Sequence, residues 1–484
     1  MNRLVLFPAL ALLLPLAPAH ALETVTVNAP DFASLKAAIV EANDRPTDIL
    51  TRIFILGEVG VPVDAKPALP PIRARINIVG GSFREVDGGP DRLFKVDSTG
   101  ILGIRDSNFV DWSGAINGPA LFENHGTLVL RRVGFTSIVG LPFCGGKVCS
   151  PNKTAIIHNA GTGRLTLDDV KFIDSGTSRE FGPPTATNGI LRNEGTAVLD
   201  RTQIYLAHNR WEEPLTNTGF MRLRNSSFLV RNQPDLPQLP LLAASGNGRT
   251  EAVNSVFDGF SGNWCQSVAS LGHNTISAHD CNWSAMGDAV GMPAGLIWRR
   301  SSAEGDQFDL VPSAASSAVD SADAAWCPEG YEFRDGDGDG LANCDRGARE
   351  LEPTRLAEGG INGFYFNPDE DGHYVYVQQT DFTTLVMWNT FDADGNQAWI
   401  YGTGKLAAGR SVVAEAYINR SGGLTPDGLL TDVEAEAWGE LHVDMDSCDG
   451  GVVAYRSVLP EFGSGQFPIE RLAYVKQLGC VDPE

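Results

Sequence analysis

Short runs of alternating apolar and polar residues recur between residues 90 and 290, and each restarts just after a glycine. The segments Asn124-His125-Gly126, Asn159-Ala160-Gly161-Thr162-Gly163, Asn193-Glu194-Gly195 and Asn217-Thr218-Gly219 each open such a run. Nine positions past the last glycine of each stands a bulky residue: Phe135, Phe172, Ile204 and Phe228. The same rule extends back to Phe109 after Gly100, on to Phe257 after Gly248, and then to Trp283 after Asn274. Successive markers lie 26, 37, 32, 24, 29 and 26 residues apart, and the excess over 24 falls in Gly-, Pro- and polar-rich stretches. Short strands at such a period, with no crossover helices, predict a right-handed parallel β-helix. One coil cannot bury its own apolar face, whereas stacked coils share a continuous core.

The pattern also assigns faces. Seven positions past each marker glycine stand Ser107, Val133, Val170, Thr202, Ser226 and Ser255, which are expected to point the same way in successive rungs. Six positions past stand Asp106, Arg132, Asp169, Arg201, Asn225, Asn254 and Asp280. This polar column reads either as a binding stripe or as a turn ladder whose neighbouring rungs neutralise one another. The turn ladder is the preferred reading, with each exposed pair contributing only ~0–1 kcal/mol and fixing register more than stability.

Apolar residues at helical spacing over Phe32–Asn43, with Asp31 or Ser34 as cap, predict an amphipathic helix covering the first coil. After residue 352 the period is lost. Short β-rich runs follow, with a hairpin signal at Asp392-Ala393-Asp394-Gly395-Asn396. They predict a seven- or eight-stranded antiparallel sandwich or barrel. The expected architecture is all-β: residues 22–325 a capped parallel β-helix, 326–352 an acidic loop, and 353–484 an antiparallel domain.

Composition narrows the function. The chain carries 60 Asp+Glu against 37 Lys+Arg, a formal charge of −23, which argues against nucleic acid or anionic lipid as partner. Residues 350–484 hold 22 of the acids and only 7 of the bases. Arg3, the apolar run from Leu4 to Leu16, and Ala19-His20-Ala21 read as a secretory signal peptide over residues 1–21. No later segment is apolar enough to span a membrane, so a secreted, extracellular protein is expected. Eight cysteines suit that compartment. Their connectivity is open; proximity suggests Cys144–Cys149, Cys265–Cys281, Cys327–Cys344 and Cys448–Cys480.

Three stretches then carry a resemblance: Ser34–Asn43, Ser316-Ser317-Ala318-Val319-Asp320 and Cys344-Asp345-Arg346-Gly347-Ala348-Arg349-Glu350. On these, residues 23–350 resemble the secreted bacterial right-handed β-helix proteins of the choice-of-anchor type, related to polymorphic outer-membrane-protein passengers. The resemblance implies an adhesin-like solenoid and brings no catalytic residues. The later run from Gly363 to Gly402 resembles an accessory β-module of secreted proteobacterial proteins.

Asp335, Asp337 and Asp339 occupy alternate positions of an acidic loop, with Gly340 at the turn, Asn343 three residues further and Asp345 beyond it. This spacing lets carboxylates converge on a calcium ion of structural role, and it is similar to a thrombospondin type 3 repeat. Position 12 is Arg346, where an acidic ligand is expected. Asp444, Asp446 and Asp449 are a second, weaker calcium candidate. A polysaccharide lyase needs a basic side chain, for which Arg131, Lys171, Arg222 and Arg224 are candidates, with Asp168 and Asp200 as ligands. His125, His158, His208 and His279 fall at turn positions. Trp388, Trp399, Tyr401 and Trp438 read either as a sugar-stacking platform or as core, the core reading being preferred. The expected function is a non-catalytic binding or structural protein presenting its long face to an extracellular polysaccharide or a surface protein. The alternative is a calcium-dependent polysaccharide lyase or glycosidase.

Overall fold

The computed structural model describes residues 23–62, 69–86, 92–112, 120–138, 154–173, 188–206, 214–230, 241–244, 248–259, 265, 267–277, 281–292, 294–300, 308–313, 315–328, 343–351, 360–380, 383–392, 395–407, 410–420 and 434–474. The leader, Cys144, Cys149, Cys480, His208, His279, Asp280, Asp335, Asp337 and Asp339 lie outside these residues. Among the described residues no helix is long and apolar enough to cross a membrane.

Helix Phe32–Asn43 forms where expected, and its cap is Asp31, whose carboxylate accepts the Ser34 N–H at 2.7 Å. Leu35, Ala38, Ile39 and Ala42 are buried on one face. The strands that follow pair parallel in a 17-stranded and a six-stranded sheet. Each repeat contributes to both. Strand Thr127–Ile138, for instance, lies between Ile101–Trp112 and Arg164–Ile173, while Ala120–Asn124 pairs with Thr154–Asn159 in the smaller sheet.

The aromatic column is real. Phe109, Phe135 and Phe172 pair in register, as do Ile204, Phe228 and Phe257. Adjacent rings stack with centroids 4.8–5.1 Å apart, and all six residues are buried. Phe83 adds an earlier rung that the glycine rule does not reach. The final expected member is corrected. Ile276, not Trp283, pairs with Phe257, and Trp283 meets that ring edge-on at 5.6 Å. The last coil is shorter than the others, so its corner falls at His273.

The polar column proves to be a corner. Asp106, Arg132, Asp169, Arg201, Asn225 and Asn254 all have φ between 45° and 57°, the left-handed region that Asn and Asp enter most readily among non-glycine residues. Charge pairing between rungs holds for Arg132 and Asp106 at 2.5 Å. On the following rungs Arg201 pairs with Asp168, and Arg349 pairs with Asp169.

The marker glycines have a steric reason. A Cβ on Gly195 would stand 2.3 Å from Gly163 O, and one on Gly219 would stand 2.1 Å from Gly195 O. Each glycine therefore rests on the backbone of the preceding coil. Beside them runs a buried asparagine ladder. Each Nδ2 donates to the next Oδ1 from Asn124 to Asn159, Asn193 and Asn217, at 2.7, 2.7 and 2.8 Å.

Residues 308–313, 315–328 and 343–351 dock on the larger sheet. Disulfides join Cys265–Cys281 and Cys327–Cys344, as proximity suggested; Cys448 is also disulfide-bonded. Asn225 and Asn254 donate to Trp326 O and Asp323 O, so the corner amides anchor the turn Ala324–Trp326. The Cys344–Glu350 stretch docks residue by residue. Asp345 accepts N–H groups of Asp320 and Leu351, Arg346 reaches Asn274 O and Thr275 Oγ1, and Ala348 N–H donates to Ser227 Oγ.

The C-terminal strands form a closed eight-stranded antiparallel barrel, which resolves the sandwich-or-barrel alternative. In chain order they are Gly363–Phe366, Tyr374–Gln379, Thr384–Phe391, Gln397–Gly404, Ser411–Asn419, Ala435–Ser447, Gly450–Ser457 and Ser464–Tyr474. The fourth strand pairs with the fifth to close the ring. Tyr365, Val375, Val386, Trp388, Ile400, Ile418 and Trp438 fill the interior.

Candidate functional site

Strand alternation sends every second residue outward, and one outward row across five neighbouring barrel strands is aromatic or apolar. Phe364 pairs with Tyr376, Tyr376 with Met387, Met387 with Tyr401, and Tyr401 with Tyr417. At ~4.8 Å per strand this row is roughly 19 Å long. A second row beside it holds Phe366, Tyr374, Asn389 and Trp399. Trp399 is 59% exposed, Phe364 49% and Tyr374 44%. Neighbouring rings touch: Phe364 and Tyr376 centroids are 4.6 Å apart, and Tyr401 and Tyr417 are 6.3 Å apart. The phenols are held by amides, Tyr376 donating to Gln378 at 2.7 Å and Tyr401 meeting Asn419 at 3.1 Å.

The four aromatics read from the sequence as platform or core, with core preferred, therefore divide. Trp388 and Trp438 are core, meeting edge-on at 5.9 Å inside the barrel. Trp399 and Tyr401 lie on the exposed band. Phe364, Tyr374, Tyr376 and Tyr417 were missed. The available signal was parity along each strand, blurred in runs such as Ala398-Trp399-Ile400-Tyr401, where both parities are apolar.

The smaller parallel sheet presents a charged row, with Lys95, Glu123, His158 and Arg192 side by side on adjacent strands. His125 meets Glu123 at 2.7 Å, and Arg92 pairs with the same carboxylate. Burial works to raise the Glu123 carboxyl, but His125 and Arg92 outweigh it and hold it below the usual range. Glu194 behaves alike: burial opposes, and His158 and Arg192 prevail.

The cations considered as lyase bases are all engaged. Arg131 pairs with Asp168 at 3.1 Å, Lys171 with Asp309 at 2.8 Å, Arg222 with Glu251 at 2.6 Å and Arg224 with Asp200 at 2.8 Å. Each tie holds neighbouring coils together or fastens residue 309 to the sheet. Of the expected calcium ligands, the two described ones sit in the junction. Asn343 Nδ2 donates to Ala322 O at 2.8 Å, and both Asp345 oxygens accept backbone N–H groups. Among the described residues no three His, Cys, Asp or Glu side chains cluster as a metal site.

No family matches this chain, and neither a curated protein nor a solved structure matches it.

Proposed function

We propose that the chain is a secreted, non-catalytic binding protein whose barrel holds a neutral extracellular polysaccharide along the Phe364–Tyr417 row. The observation that carries this reading is the row itself: five outward residues in register across five strands, the two end rings exposed and the middle three half-buried. A sugar ring offers an apolar C–H face that stacks on aromatic rings. Gln378, Asn389 and Asn419 stand alongside for its hydroxyls. The acid excess of residues 350–484 disfavours an anionic chain and supports a neutral one.

The repeat part is, in this reading, a right-handed parallel β-helix. Two parallel sheets, stacked aromatic and asparagine columns and a capping helix support it. It acts as an adhesin-like stalk of the choice-of-anchor type. Calcium bound by Asp335, Asp337 and Asp339 stiffens the junction, with Asn343 and Asp345 holding the end of that loop.

Affinity electrophoresis of the full chain through gels containing cellulose derivatives, β-glucan, xylan, mannan and polygalacturonate tests the function. Retardation in a neutral glycan is expected. It should weaken at least tenfold in Trp399→Ala/Tyr401→Ala with unchanged melting temperature. No retardation in any gel refutes the binding reading, and release of unsaturated oligosaccharides identifies a lyase instead.

A further inference from the structure

Strands Leu50–Phe54, Arg75–Val79, Ile101–Trp112, Thr127–Ile138 and Arg164–Ile173 lie side by side in the larger parallel sheet. Their inward residues, such as Ile53, Ile78, Ile104, Leu130 and Leu167, are buried. Each strand presents three outward positions over the first registered stretch. Those positions hold five arginines and one acid, Asp168. The arginines are Arg52, Arg75, Arg105, Arg131 and Arg164, one from each strand. In a chain of net charge −23 this is a local reversal of sign.

Elsewhere on this face arginines are paired. Arg222 and Arg249 bind Glu251, Arg224 binds Asp200, and Arg131 binds Asp168. Arg52, Arg75 and Arg164 break the rule: they form no ion pair and no side-chain hydrogen bond among the described residues. Arg105 has only Asp106, at 4.0 Å, whose carboxylate Arg132 already holds. The Nε atoms of Arg52 and Arg105 are buried without a hydrogen-bond partner. A guanidinium is a planar fork of donors that fits a carboxylate, and these forks are left to an anion from outside the chain. Asn77, Thr127 and Thr166 stand among them with polar groups for hydroxyls, and Gly103 keeps the centre of the patch low.

One arginine per strand is one cation every ~4.8 Å across the sheet, over roughly 19 Å in all. A uronic-acid polymer carries one carboxylate on each sugar ring, a unit of similar length. A nucleic-acid strand is charged every ~3.4 Å, more densely than the arginines, and the acidic remainder of the chain repels it.

We propose that this face binds an acidic polysaccharide, a chain of uronate sugars lying across the five strands with its carboxylates on Arg52, Arg75, Arg105 and Arg164. The site is separate from the aromatic row of the barrel and does not depend on it.

Calorimetric titration of the full chain with oligomers of galacturonate and of mannuronate, a fully methyl-esterified galacturonate oligomer and a single-stranded DNA tests this. At least one uronate oligomer is expected to bind, and more weakly as salt is raised. The esterified oligomer should bind at least tenfold more weakly than its acid. Arg75→Gln/Arg164→Gln removes two cations without stranding a carboxylate, and should reduce affinity at least tenfold with unchanged melting temperature. Arg52→Gln should weaken binding severalfold, and keeps the test decisive if the double variant does not fold. Trp399→Ala/Tyr401→Ala should bind the uronate as the wild type does. The proposal is overturned if neither uronate oligomer binds, if the esterified form binds equally well, or if both arginine variants bind normally. Tighter binding of DNA than of either uronate, or loss of uronate binding in the barrel variant, would overturn it too.

Discussion

Arg349 donates to the carboxylate of Asp169 at 2.6 Å, joining positions 180 residues apart in sequence. The same guanidinium donates through Nε to Asp309, which Lys171 and Gln203 also bind. One arginine thus fastens the 343–351 segment and the 308–313 strand to the corner of an early coil. These groups are largely screened from solvent, so removing one partner strands the others. Arg349→Ala should lower unfolding free energy by about 2–4 kcal/mol. Arg131→Ala, at a half-exposed pair, should cost under about 1 kcal/mol. Urea unfolding of the two variants checks the ordering.

Asp309 gives the junction an acid dependence. Burial opposes its ionisation, but Arg349 and Lys171 override burial and depress its pKa below the ordinary 3.8. A depressed carboxylate adds stability above its unfolded pKa and loses it as pH falls through the folded value. Stability should therefore drop as pH falls below about 4. Asp309→Asn should be weaker at neutral pH and show a shallower acid loss. Equal slopes for the two proteins would contradict the assignment.

The asparagine ladder predicts a position-dependent cost. Asn159 both accepts from Asn124 and donates to Asn193, in a fully buried setting. Asn159→Ala should destabilise by about 2–4 kcal/mol, since it leaves buried groups on two coils short of a partner. Thr162→Ala, whose exposed hydroxyl donates to His125 O, should change stability by less than about 0.5 kcal/mol. Denaturant midpoints measured side by side decide this.

Calcium removal should soften the junction. Chelator is expected to lower the melting temperature of the wild type, and Asp337→Ala should abolish the response. A wild type indifferent to chelator would refute the metal proposal.

Much of the repeat part was legible in the sequence, because stacking forces one residue type into one place. Phe135 and Phe172 could be aligned from a glycine that the preceding backbone leaves no room to replace. The asparagines were visible as turn openers, but their amide chain was not, since spacing does not say which face of a turn is buried. Trp283 was misplaced because the rule assumes equal coils and the last one shortens. In the barrel, the strands announced themselves, yet Trp388 and Trp399 were not separable. Apolar residues at both parities hide which side faces in until the ring closes.

Closure of the barrel has one more consequence. An open sheet ends in strands whose backbone groups invite another chain to add on. Here the eight main strands form a ring, and the extra strand, Leu406–Ala407, is two residues long. An exposed apolar band on an open sheet would be a hazard for strand-by-strand polymerisation. On a ring it has no free edge beside it, so the surface can stay sticky toward a foreign polymer without seeding one of its own.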